Sequence, residues 1–73
     1  GQGFATQAVG EAVAYAFEQL GLHRVQAGTL VHNEASQGVL ARNGFEQFGL
    51  APRYLEIEGA WQDHLLFQRL NEA

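Results

Sequence analysis

Between Ala5 and Leu20 the apolar residues fall at Ala5, Ala8, Val9, Ala12, Val13, Ala16, Phe17 and Leu20. That spacing gathers one stripe on one face of a helix. Gly21 stands where a left-handed C-terminal cap belongs, and Leu22 can fold back on the last turn, so the helix is expected to end at Leu20. The period then changes to two. Val25, Ala27, Thr29 and Val31 alternate with Arg24, Gln26, Gly28 and Leu30, which reads as a sheet strand from Arg24 to Val31 with one face more apolar. Asn33 is suited to cap a second, short helix; Glu34 favours its positive end, Val39 and Leu40 give it an apolar patch, and Gly44 stops it. Gly38 inside that helix costs ~1 kcal/mol relative to alanine. It marks either the close approach of another backbone or simple tolerance.

Phe45 to Gly49 alternates again, Pro52 interrupts the pairing, and Arg53 to Glu58 resumes an extended pattern with Leu55 and Ile57 on one face. Gly59-Ala60 fits a two-residue turn with glycine first, which makes a hairpin. The returning strand, Trp61 to Leu70, puts Trp61, Asp63, Leu65 and Phe67 on one face and Gln62, His64, Leu66 and Gln68 on the other, and the last three residues are expected to fray. No internal repeat, linker or low-complexity segment interrupts this order. The expected architecture is one α/β unit: helix, strand, helix, then an antiparallel strand pair in a mixed sheet.

With 73 residues, 47% of them hydrophobic and five Phe, the composition is that of a globular core, although a chain this short buries only ~60% of its unfolded surface. There is no cysteine, so neither disulfides nor thiolate metal sites are available. The net charge is −4, and the four basic residues, Arg24, Arg42, Arg53 and Arg69, are spread along the chain, which argues against a nucleic-acid partner. No apolar run approaches the ~20 residues of a membrane span, so a soluble, cytoplasmic protein is expected. The chain begins without methionine and in mid-pattern, as a fragment would.

Candidate chemistry concentrates at the start. Gly1-Gln2-Gly3-Phe4-Ala5-Thr6 runs straight into the first helix. Glycines let a backbone approach a ligand, and the helix that follows aims unpaired N–H groups at it, which together make an anion cradle. On spacing alone, a glycine-rich turn without function is the favoured reading. A dinucleotide-binding loop would require glycine or alanine where Thr6 stands, a preceding strand and an acidic residue about 20 positions on, and none of these is clearly present. His23, His32 and His64 have no ligand spacing, so no metal site is expected; they read as sheet-edge or surface histidines. Asp63 and His64 are neighbours on an alternating strand and point to opposite faces, which prevents them from acting as a pair. Glu56 and Glu58 share a strand face and are either solvated or close to an acceptor amine.

In this order, five local signatures resemble the GNAT acetyltransferases, and among them the branch of RimJ/RimL-type ribosomal-protein alanine N-acetyltransferases. They are Gly1-Gln2-Gly3-Phe4-Ala5-Thr6, Leu20-Gly21-Leu22-His23-Arg24-Val25, Asn33-Glu34-Ala35-Ser36, Asn43-Gly44-Phe45 and Gly59-Ala60-Trp61-Gln62-Asp63. The resemblance covers the whole chain and corresponds to the family's carboxyl-terminal half, starting within the pyrophosphate-binding motif. Gly3 and Ala5 match the later positions of that motif; its leading Arg or Gln would precede Gly1, as would the first strands and much of the acceptor pocket.

The resemblance implies acetyl-coenzyme A as donor and an amine such as a protein N-terminus as acceptor. Backbone N–H groups from Gly1, Gln2, Gly3, Phe4, Ala5 and Thr6 would then hold the pyrophosphate. Asn33 would cap the second helix and hydrogen-bond the pantetheine arm. Ser36 would place a hydroxyl near the sulfur to stabilise the leaving thiolate or return a proton to it, the alternative being a solvent-facing serine. Arg42 would reach a coenzyme phosphate or only complement the helix dipole. No general base is assigned, no metal is implied, and Trp61 is expected to pack against the hairpin. Half a domain is expected to be inactive alone, and the strand from Arg24 to Val31, lacking its neighbour, to drive homodimerisation or association with the missing half. A non-catalytic α/β module that self-associates through its sheet edges is the alternative.

Overall fold

A computed structural model of the protein describes residues 2–71, and for Gln2 the backbone alone. The elements are α1 (Gln2–Glu18), β1 (Arg24–Leu30), α2 (Glu34–Arg42), β2 (Glu46–Ile57) and β3 (Ala60–Leu70). The sheet is three-stranded in the order β1-β3-β2. β3 runs antiparallel to both neighbours, with Ala27 opposite Phe67 on one side and Leu50 opposite Leu65 on the other. The α/β class is as expected. The sheet is not mixed, because every pairing among the described residues is antiparallel: the last strand inserts between β1 and β2 and keeps those two apart.

Helix α1 begins at Gln2 and takes in Gly3 to Thr6, so the stretch expected to form a loop before the helix is its first turns. Gly3 is a modest penalty at the start of a helix that packs an apolar line against the core. That stripe is narrower than the sequence pattern. Val13 is buried and Val9 and Phe17 pack beside it, each one turn from the next, whereas Ala8, Ala12 and Leu20 face outward. The helix ends at Glu18, two residues before Leu20; Gly21 takes φ 66°, and the Leu22 N–H donates to the Ala16 carbonyl at 3.0 Å.

In β1, Val25, Ala27 and Thr29 turn toward the helices, and Val31 falls in the following turn, exposed. Asn33 caps α2: its Oδ1 accepts from the Ser36 N–H at 3.1 Å, and Gly44, at φ 78°, closes the other end. At Gly38 the nearest approach is the Arg42 guanidinium, whose Nη1 would lie 3.3 Å from an added Cβ, and not a foreign backbone. The close approach is at Gly10 of α1, where an added Cβ would come within 2.9 Å of Asn43 Oδ1.

Pro52 does not interrupt β2. The strand is continuous, with register shifts between Gln47 and Gly49 and between Ala51 and Leu55. It is an edge strand, where a proline without an N–H need not break a ladder. The second irregularity is held by the Arg53 N–H, which donates to Asp63 Oδ1 at 2.9 Å while Arg53 takes φ 49°. The hairpin turn is Glu58-Gly59, one residue earlier than Gly59-Ala60, because Ile57 pairs with Ala60. Both turn residues have positive φ, 52° and 82°, the geometry that matches the strands' twist.

The core is Val13, Leu40, Phe45 and Phe67, with Val9, Phe17, Val25, Ala27 and Leu65 packed against it. It lies between the two helices and one face of the sheet. Leu65 and Phe67 point into it, while Trp61 and Asp63, on the same strand face nearer the hairpin tip, stay exposed. His64 corrects the expectation of a surface histidine. It sits on the central strand, 5% exposed, with its ring 5.3 Å from that of Tyr54 and its Nδ1 3.1 Å from the Gln62 carbonyl.

Candidate functional site

Two helix starts and one strand converge on a cavity of about 260 Å³. Ala5 and Val9 line it from α1, Ala27, Gly28 and Thr29 from β1, and Ser36, Val39 and Leu40 from α2. The local reasons are short-range. The Asn33 cap fixes the first turn of α2 and so sets Ser36, one turn along, in the cavity wall. Asn33 N–H donates to the Leu30 carbonyl at 3.0 Å, and Gln37 Nε2 donates to the Leu30 and Val31 carbonyls at 3.2 and 3.1 Å, tying α2 to the end of β1. At the far end of α2, Asn43 Nδ2 donates to the carbonyls of Val39 and Thr6, both at 3.0 Å, which docks α2 on the first turns of α1. Arg69 completes the brace: its Nη1 donates to the Asn43 carbonyl at 2.9 Å, and its guanidinium lies over the Phe17 ring.

Gly1, the first residue expected in the cradle, and the side chain of Gln2 lie outside the described residues. Gly3 occupies the first turn of α1, with nothing within 4 Å of where a Cβ would be, so the backbone there is open to approach. Phe4 is 79% exposed and is not among the lining residues. Ala5 lines the cavity, and Thr6 contributes its carbonyl to the brace from Asn43. The first-turn N–H groups of a helix have no intrahelical acceptor, so in a helix starting at Gln2 the N–H groups of Gly3 and Phe4 stay open, whereas Thr6, one turn in, falls within the helix's own ladder. Asn33 uses Oδ1 for the cap, which leaves Nδ2 as a donor; Ser36 is half-buried on the cavity wall. Ser36 and Ala5 therefore meet at one cavity. Arg42, at the opposite end of α2, is exposed, lies over Gly38 and is not among the lining residues.

The lining contains no titratable side chain. Glu56 and Glu58 are exposed at the hairpin tip, and Asp63 is engaged with the Arg53 backbone. Among the described residues, no three His, Asp or Glu side chains gather as a metal would require, and no helix is long and apolar enough to cross a membrane.

Two other hollows bracket the site. One of about 370 Å³ lies along the other flank of α1, lined by Val13, Phe17, Glu18 and Arg69 among others, but Arg69 is already engaged there and neither helix start reaches it. The other, about 250 Å³, lies on the helix-free face against Gln26, Phe48, Tyr54 and Leu66. Ala27 and Gly28 line both this hollow and the cavity at the helix starts, so strand β1 alone separates the two.

Residues that the sequence reading passed over carry much of this geometry: Gly10, Gln37 and Asn43 in the brace, and Thr29 in the cavity wall. Asn43 stood in a noted signature without a role. An Asn directly before a helix-stopping Gly is the one local hint that its side chain is committed to capping.

A family model for the acetyltransferase (GNAT) domain matches residues 1–46. The probable N-acetyltransferase YjcK of Bacillus subtilis (strain 168) is 42% identical over 71 residues, covering 97% of this chain and 39% of its own. The ribosomal protein uS5-alanine N-acetyltransferase of Escherichia coli (strain K12) is 41% identical over 66 residues, covering 90% of this chain and 34% of its own. Among solved structures, the ribosomal-protein-S5-alanine acetyltransferase from Vibrio fischeri superposes with a TM-score of 0.94 at 40% identity, over 99% of this chain and 39% of that one. RimJ from Mycobacterium smegmatis, solved in complex with CoA-disulfide, gives 0.90 at 43% identity, over 93% and 32%. The chain thus spans well under half the length of the relatives it matches.

Proposed function

This chain belongs to the GNAT acetyltransferase family, and from that premise we propose that it forms the coenzyme-binding, carboxyl-terminal half of a domain that transfers acetyl from acetyl-coenzyme A to a primary amine such as a protein N-terminus. The observation that carries the reading is the convergence of the first turn of α1 and the Asn33–Ser36 turn of α2 on one cavity, through Ala5 and Ser36. A helix start supplies N–H donors and a positive partial charge for the pyrophosphate. The apolar wall of Val9, Ala27, Val39 and Leu40 suits the uncharged arm. Resemblance to the RimJ/RimL branch and the RimJ complex with CoA-disulfide point the same way.

In the reaction, the amine nitrogen attacks the thioester carbonyl; the new C–N bond forms, the C–S bond breaks, and the sulfur leaves as thiolate. Ser36 Oγ, set in the cavity wall by the Asn33 cap, donates a hydrogen bond to that sulfur or returns a proton to it. Asn33 Nδ2 orients the arm, so that most of the rate comes from positioning. The lining holds no base, so the proton lost by the amine goes to water or to a group outside this cavity. The hollow on the helix-free face, separated from the cavity by β1 alone, is the side from which an acceptor amine can approach.

A second reading, a non-catalytic module that self-associates, draws on the edge positions of β1 and β2 and on exposed Phe48, Leu50, Tyr54 and Trp61. Calorimetric titration with acetyl-coenzyme A, with NAD as control, separates the two. Saturable heat with acetyl-coenzyme A alone supports the first, and a folded chain silent to both abandons it. Sedimentation across micromolar concentrations tests self-association independently.

A further inference from the structure

Thr29 is 6% exposed, and its Oγ1 has no hydrogen-bond partner among the described residues. A buried hydroxyl in that condition costs about 1–3 kcal/mol, so a native structure that keeps one has a use for it. In a helix, threonine returns its hydroxyl to the carbonyl one turn back. Thr29 lies on strand β1, where no carbonyl of its own strand is presented to that face. Its neighbours give no alternative, since the surrounding wall is Ala5, Val9, Ala27, Gly28, Val39 and Leu40, and the other hydroxyl of the lining is Ser36. The cavity accordingly holds an unpaired donor in a wall that apart from Ser36 is apolar, which is how a site orients an apolar arm that carries an isolated polar atom.

Resting on the coenzyme-binding reading above, we propose that the Thr29 hydroxyl is a ligand-positioning group that donates a hydrogen bond to a carbonyl oxygen of the acyl-coenzyme arm. It would share the cavity with Ser36 but act at a different atom. A thioester carbonyl and an arm amide carbonyl offer the same acceptor chemistry; coenzyme A, which carries only the second, tells them apart.

The test is a pair of measurements on wild type, Thr29→Val and Thr29→Ser: thermal unfolding without ligand, and Kd for acetyl-coenzyme A and for coenzyme A. Valine keeps the branched shape and removes the hydroxyl; serine keeps the hydroxyl. An orphan hydroxyl predicts that Thr29→Val unfolds at or above the wild-type temperature, binds acetyl-coenzyme A about tenfold more weakly, as the loss of a single hydrogen bond of ~1.4 kcal/mol requires, and that Thr29→Ser binds nearly as wild type. Weakening toward both ligands puts the bond at an amide; weakening toward acetyl-coenzyme A alone puts it at the thioester. A Thr29→Val protein that is clearly less stable without ligand overturns the inference, because the hydroxyl then has a structural partner. Unchanged affinity in a stable Thr29→Val protein also overturns it while leaving the coenzyme reading intact. Absence of acetyl-coenzyme A binding by folded wild type removes both.

Discussion

Asn43 Nδ2 donates to the Thr6 carbonyl at 3.0 Å, joining the end of α2 to the first turns of α1. The two residues lie 37 positions apart, and the bond ties the first turns of α1 to the helix whose Asn33–Ser36 turn lines the same cavity. Asn43→Ala removes the part-buried bonds to Thr6 and Val39. We expect a loss of about 1–3 kcal/mol in denaturant unfolding, together with weaker acetyl-coenzyme A binding. Unchanged stability would show that the bond is incidental.

Gly10 and Gly38, both in helix interiors, should respond oppositely to alanine. At Gly10 an added Cβ meets Asn43 Oδ1 at 2.9 Å, and that amide is pinned by its bonds to Thr6 and Val39. Crowding then outweighs helix propensity, and Gly10→Ala should destabilise by ~1–3 kcal/mol. At Gly38 the neighbour is the end of exposed Arg42, which can swing aside, so Gly38→Ala should gain up to ~1 kcal/mol. Paired urea titrations check this, and equal signs would refute it.

At Asn33 the cap and the ligand contact can be separated. Aspartate caps a helix as well as asparagine does, yet lacks the Nδ2 donor and adds a negative charge. Asn33→Asp should keep the wild-type melting temperature within a few degrees and bind acetyl-coenzyme A at least tenfold more weakly, whereas Asn33→Ala should also lose ~1 kcal/mol of stability. Equal affinity of Asn33→Asp and wild type would confine Asn33 to capping.

Glu58 occupies the first position of the hairpin turn at φ 52°, a conformation that asparagine or glycine adopts more readily. Glu58→Asn should raise stability by about 0.5–1 kcal/mol without affecting coenzyme binding, because the turn lies at the far tip of the hairpin. A fall in stability would show that the glutamate side chain makes a compensating contact.

Wherever one face of an element meets the core, the period of the sequence located it: the Val9–Val13–Phe17 line, the Val25–Ala27–Thr29 face and the Asn33 cap are all local patterns. Boundaries shifted where a local rule met a nonlocal fact. Gly3 joined the helix because the buried stripe behind it outweighs one glycine, Pro52 stayed in β2 because that strand is an edge, and the turn moved to Glu58-Gly59 because the Ile57–Ala60 pairing set the register. The burial of His64 under Tyr54 follows from β3 being central, which no window of sequence contains. At the site, the Asn33 cap was legible from local pattern, whereas Ser36 entered only through the resemblance, and its N–H bond to Asn33 came with the structure. Thr29 was legible only as one more member of a strand face, since an orphaned hydroxyl exists only once the helices have closed over it.

The central claim is that the cavity between α1, β1 and α2 receives the coenzyme. Amide-resolved NMR of this chain during titration with acetyl-coenzyme A tests it most directly. The account predicts saturable shifts at Gly3, Phe4 and Ala5, at Ala27 to Thr29 and at Asn33 to Ser36, with the Glu56–Ala60 hairpin tip unmoved. Shifts confined to the hairpin and the helix-free sheet face, or none in a folded sample at millimolar ligand, would contradict it.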